Sequence, residues 1–161
     1  METNLLHSPN QSPAIVIGVT WANGLGLIRS LGQAGVPVLA LDPQPEAIGF
    51  FSRYTSYGLV CADPGDDEAA FLEFMDQLAQ RLRQPGVLFL TRDQDLATVS
   101  RNQSRFTGHY HVPFASWDVL SQIVDKRGQY RVAGELGVPL PATHFPGDEG
   151  QALSASQDMP Y

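Results

Sequence analysis

The sequence predicts an α/β protein: a doubly wound parallel sheet of four or five strands, followed by the short helical start of a second domain. Three observations predict it. The runs "AIVIGV", "VPVLALD", "YGLVCAD" and "GVLFLT" are apolar throughout, as in strands covered on both faces. Segments of helical period separate them, so strand must follow strand by a crossover in place of a hairpin. The alternation then stops at Pro113, and only short helical patterns follow.

The elements follow in order. Ala14 to Val19 reads as the first strand, and "TWANGLG" as a glycine loop after it. From Leu25 the period becomes helical, with Leu27, Ile28, Leu31 and Ala34 on one face and Gly35 as the stop. "VPVLALD" is a second strand ending at Asp42, and "PQPEAIGFFSRYTS" a loop with one short helical turn. "YGLVCAD" is the third strand, with Cys61 buried inside it. "DPGDDEAAFLEFMDQLAQRLRQPG" is the clearest helix. Acids fill its first turn, Phe71, Met75, Leu78 and Leu82 form its buried stripe, and Arg81 and Arg83 close it. "GVLFLT" is the fourth strand, "RDQDLATVSRNQSRF" a helix with Leu96 and Val99 inward, and "HYHVPF" a short fifth strand. "SWDVLSQIV" and "DKRGQYRVAGELG" read as two short helices, "VPLPATHFP" as extended, and the closing "GDEGQALSASQDMPY" has weak periodicity. The division is a tail over 1–12, the sheet domain over 13–115 and the start of a second domain over 116–161.

Composition narrows the function. The chain has 161 residues, a net charge of -7 and no basic stripe, which argues against a nucleic-acid partner. One cysteine allows neither an internal disulfide nor a metal cluster. No run reaches the length of a membrane span, and the first residues lack the pattern of a signal peptide, so the expected place is the cytoplasm. His109, His111 and His144 lack metal-ligand spacing and read as structural. Trp117, Leu120 and Val124 read as a core stripe.

In such a sheet ligands gather at the carboxyl ends of the strands. That singles out Thr20, Trp21, Asn23 and Gly24 after the first strand, Asp42 after the second, and Thr91, Arg92 and Asp93 after the fourth. Three readings of the glycines stay open. Gly24 and Gly26 can make a tight turn and close helix packing. They can belong to a dinucleotide fingerprint, against which Arg29 stands where the third glycine should be. They can also frame an anion or substrate site on the same turn. Arg92 and Asp93 can read a substrate's charges or start a helix with a capping aspartate.

The stretches "GVTWANGLGLIRSLGQAGVPVLALD", "SRYTS", "FLTRDQDLATVS" and "VDKRGQYRVAGELGVPLPATHF" resemble, in order and spacing, the opening of an ATP-grasp carboxylate–amine ligase. The "DK…A…LGVPLPAT" part is the most diagnostic. The resemblance implies a Rossmann-like domain before the ATP-grasp domain. It implies a reaction in which ATP phosphorylates a carboxylate and an amine then displaces phosphate. It further implies ATP and Mg²⁺ in the full-length enzyme, with Lys126, the only lysine, as the first ATP contact. A plain surface lysine is the alternative, with Asp125 capping its helix. Arg53, in "SRYTS", is implied as a carboxylate clamp, or else makes a surface ion pair. The family's second ATP-binding lysine and its metal-binding carboxylates have no counterpart here. The expectation is therefore a substrate-side part, inactive alone, with no catalytic or metal-binding residue of its own and no tightly held cofactor. Its partners would be a small carboxylate and an amine, amino acid or peptide-like, with a homodimer as the protein assembly. An NAD(P)-binding module and a non-catalytic assembly domain are the alternatives.

Overall fold

The computed structural model describes residues 11–157. The tail expected over 1–12 lies almost wholly outside them, as do residues 158–161. The chain divides into two compact units, one ending at Trp117 and the other beginning at Asp118.

The first unit is the expected doubly wound α/β sheet. Strands β1 (Ala14–Ile17), β2 (Val38–Asp42), β3 (Tyr57–Val60), β4 (Gly86–Leu90) and β5 (Tyr110–His111) lie in the order β3-β2-β1-β4-β5. Every pairing is parallel, with Ile15 opposite Leu39 on one side and Leu88 on the other. Strand side chains alternate between faces, and here both faces are covered. Ile15, Ile17, Leu39, Leu41 and Leu88 pack with Phe71, Met75 and Leu78 of helix α2 (Glu68–Arg81) and Val99 of helix α3 (Asp93–Arg101). Ala14, Val16, Val38 and Ala40 pack on the other face with Ile28 of helix α1 (Ala22–Gln33). This two-sided burial is why these strands lack an apolar/polar alternation.

Local chemistry sets the helix ends. Asp67 caps α2 by accepting the Ala70 N–H at 2.9 Å, and Arg81 sits in its last turn. Helix α1 ends in a Schellman turn, with Gly35 N–H on the Gly32 carbonyl and Val36 N–H on that of Leu31. Between β2 and β3 one 3₁₀ turn, Ile48–Phe51, fulfils the expected single helical turn.

Several boundaries differ from the sequence reading. β1 stops at Ile17, because Gly18 turns the chain at φ 84. Helix α1 starts at Ala22, three residues before Leu25. Trp21 is its extended N-cap, and its carbonyl accepts the Leu25 N–H at 3.2 Å. Asn23, Gly24 and Gly26 therefore lie in the helix and not in a loop. Ala34 is an exposed C-cap, and Leu82 is the half-buried cap of α2. β3 is an edge strand that ends at Val60, so Cys61 is buried just beyond it. The helix expected through Phe106 breaks at Asn102 into α3 and a short α4 (Gln103–Phe106). The fully buried face of α3 carries Asp95 with Val99, while Leu96 is half-buried.

Helix α5 (Trp117–Leu120) runs across the division, and in the first unit Arg101 lies 5.4 Å over the Trp117 ring. The second unit holds helices α6 (Lys126–Glu135) and α7 (Glu149–Gln157), neither with a fully buried residue. Its weakly periodic end thus forms a helix all the same. The unit is stitched by an edge-on contact of Tyr130 with Phe145 at 5.2 Å and by Arg127, which bonds the Pro146 carbonyl at 3.0 Å. Among the described residues no helix is long and apolar enough to cross a membrane.

Candidate functional site

A cleft of about 330 Å³ opens at the carboxyl ends of β1, β2 and β4, where the strand order reverses. Thr20, Trp21, Asp42 and Arg92 line it, four of the residues singled out by sequence, together with Glu46 and Ile48, which were not. The β1–α1 connection is tied to the end of β2. The Asp42 carboxylate, 1% exposed, accepts the Thr20 N–H at 2.8 Å, the Thr20 hydroxyl at 2.7 Å and the Gln44 N–H at 2.9 Å. A buried carboxylate needs such donors. The far wall is fixed by the Gly49 N–H, which donates to the Val19 carbonyl at 3.0 Å and holds the 3₁₀ turn over the end of β1.

The glycines divide the work. A Cβ at Gly18 would strike the Thr91 hydroxyl, which bonds the Gly18 carbonyl at 2.5 Å. A Cβ at Gly24 would lie 2.7 Å from the Gly18 carbonyl oxygen and 2.8 Å from the Val19 Cα. Gly24 is thus where α1 meets the backbone that leaves β1, the task that the fingerprint reading placed at position 29. Arg29 is exposed, and a Cβ at Gly26 would meet nothing within 4 Å. Of the three readings, close helix packing describes Gly24, and the helix needs no glycine at 26.

Arg92 lines the cleft, but its guanidinium is already engaged. It bonds both Asp95 oxygens, at 2.8 and 2.7 Å, and Asp63 at 2.9 Å. Burial works against the guanidinium charge, and the two carboxylates outweigh it, so Arg92 is held more firmly protonated than usual. It acts as a clamp joining the β3–α2 and β4–α3 connections. Neither Arg92 nor Asp93 caps α3 with its side chain: Arg92 takes the N-cap position without such a bond, and Asp93 is an exposed first-turn acid. The partners Asp63 and Asp95 were missed. Asp95 had a signal, since it stands four residues before Val99 on the inward face. Asp63 lies 29 residues from Arg92 and had none.

Nearby Cys61 is desolvated, and burial followed by the charges of Asp95 and Asp42 pushes its thiol up to about 12. The thiolate is the reactive form. Iodoacetamide is therefore expected to label the native chain about a thousandfold more slowly than the urea-unfolded chain. Rapid labelling of the native protein would contradict this burial.

The remaining sequence candidates lie outside the cleft lining. The Asn23 amide donates to the Thr91 carbonyl at 3.1 Å while its oxygen accepts the Gly24 N–H, so Asn23 and Thr91 brace the loop from behind. Arg53 is exposed and bonds the Tyr54 hydroxyl at 2.5 Å with its guanidinium over that ring, and among the described residues it makes no ion pair. The hydrogen bond and charge of Arg53, then Gln33 and Arg29, hold the Tyr54 hydroxyl below its usual range against desolvation. In the second unit Asp125 caps α6 by accepting the Gly128 N–H at 3.1 Å, and exposed Lys126 donates to Gln129 at 3.1 Å. His109, His111 and His144 are exposed, and among the described residues no group of three or more His, Cys, Asp or Glu is placed to hold a metal.

No family model and no curated protein matches the chain. Among solved structures it is similar to N5-carboxyaminoimidazole ribonucleotide synthetase from Thermotoga maritima, with a TM-score of 0.57 and 21% identity. The match covers 90% of this chain and 36% of that one, so the chain spans little more than a third of that protein's length. At this identity the likeness is one of fold.

Proposed function

We propose that the chain is the N-terminal, substrate-side part of an ATP-dependent carboxylate–amine ligase of the ATP-grasp class. The observation that carries the reading is the fold likeness over 90% of the chain to N5-carboxyaminoimidazole ribonucleotide synthetase, together with the ATP-grasp resemblance of the sequence. The "DK…LGVPLPAT" stretch adds to it, since it forms a capped helix that presents an exposed ammonium at its first residue. In the proposed reaction a carboxylate takes the γ-phosphoryl of ATP, an amine displaces phosphate, and an amide, ADP and phosphate result. The described residues do not make up a magnesium–nucleotide site: they offer Lys126, and no group of three or more His, Cys, Asp or Glu is placed to hold a metal. No step through the nucleotide is therefore assigned to them. What this chain contributes is the shaped cleft at the sheet edge, which suits a small substrate such as the amine partner.

A dinucleotide module fits less well. Both Asp42 oxygens are turned onto the chain's own backbone and hydroxyl donors, so neither is left over for a ribose hydroxyl, and Glu46 adds a second acid to the lining. Titration calorimetry separates the readings. The expected result is weak binding of ATP with Mg²⁺ that Lys126→Ala abolishes, and no heat with NADH or NADPH. Tight NADH binding would overturn the ligase reading in favour of a dinucleotide module.

A further inference from the structure

We infer that the cleft at the carboxyl edge of the sheet takes a small organic ammonium group seated against Trp21, and that it rejects phosphates and carboxylates. The inference deepens the ligase reading, on which the cleft would hold the amine partner; the binding itself does not depend on that reading.

The argument is one of charge and surface. Asp42 is bonded only by neutral donors, so no cation of the chain cancels its negative charge. No ion pair among the described residues includes Asp42 or Glu46. The one cation of the lining, Arg92, faces two carboxylates of its own. Helices α1 and α3 both begin at this edge, and their N-termini add about half a positive charge each. That is less than the acids supply, so the lining stays net negative. An anion entering the cleft would meet like charge without a free cation to receive it. A cation would gain from Asp42 and Glu46.

The apolar surface agrees. Trp21 is 69% exposed at the rim, a large indole left in water beside two acids. Its face attracts an ammonium. Ile48, 46% exposed, offers a second apolar surface for a short carbon chain. The volume, about 330 Å³, admits a small molecule and not a dinucleotide.

The test uses the full chain with Trp117→Phe, which leaves Trp21 as its single tryptophan. Its fluorescence is followed during titration with butylammonium, butanol, butyrate and inorganic phosphate at neutral pH and constant ionic strength. The expected result is a saturable change with butylammonium, at lower concentration than with any of the other three. Glu46→Gln, at an exposed position that leaves the fold intact, should weaken it about fivefold. The inference is overturned if butyrate or phosphate binds as well as butylammonium, if butanol does, if Glu46→Gln has no effect, or if no ligand gives a saturable change. The titration contains no nucleotide, so its failure leaves the Lys126 reading untouched. A failure of the calorimetry with ATP would likewise leave ammonium binding standing.

Discussion

Replacing Arg92 by methionine is expected to lower the unfolding free energy by about 3–5 kcal/mol, because the Asp95 carboxylate is left buried without its cation. Asp95 is fully buried and Asp63 partly so, and among the described residues no other ion pair reaches either. The loss should depend on pH. Burial already lifts the Asp95 carboxyl above its usual range, and Arg92 opposes that rise. Without Arg92 the folded-state pKa climbs further above the unfolded value. The folded state then holds the extra proton, and stability relative to the parent falls as pH rises toward neutrality. The deficit is therefore smallest in acid. Urea unfolding followed by circular dichroism at several pH values measures it. Replacing Arg92 and Asp95 together by Met and Leu should cost less than Arg92→Met alone, since no buried charge is then stranded. A small deficit, or one that shrinks toward neutral pH, would show that the clamp does not hold the sheet edge.

Gly24→Ala and Gly26→Ala are expected to move stability in opposite directions, although the two glycines stand two residues apart in one motif. At position 24 the new methyl meets the Gly18 carbonyl and the Val19 Cα, both backbone, which cannot swing aside. Helix α1 must lift from β1, for about 2 kcal/mol of net loss after the helix preference of alanine is counted. At position 26 the methyl enters open space within the helix. There alanine should gain about 0.5–1 kcal/mol. Equal losses at both positions would mean that the whole loop is close-packed. Equal gains would mean that α1 does not rest on the strand at Gly24.

These two glycines also show what could be read from the residues alone. The sheet was legible because two-sided burial leaves unbroken apolar runs, and Ile15, Leu39 and Leu88 lie in such runs. The edge of the sheet was legible as a place: Thr20, Trp21, Asp42 and Arg92 do converge there. Their roles were not. The task of Asp42 is set by donors at Thr20, 22 residues away, and that of Arg92 by Asp63, 29 residues away. Glu46 and Ile48 enter the cleft only because the Gly49 N–H pins their turn to Val19, a contact without local periodicity. The glycine spacing misled because the helix begins at Ala22 and not at Leu25, which shifts the close-packed position to Gly24.

On the proposed reading, ATP with Mg²⁺ meets Lys126 of the second unit and an ammonium meets the cleft of the first. Amide chemical shifts of the ¹⁵N-labelled chain during titration with ATP and Mg²⁺ test it most directly. The expected result is weak, saturable shifts at Lys126 and its neighbours on α6, lost in Lys126→Ala, while Thr20, Trp21 and Asp42 stay still. Shifts centred on Thr20, Trp21 and Asp42, with α6 unmoved, would place the nucleotide in the cleft and contradict it.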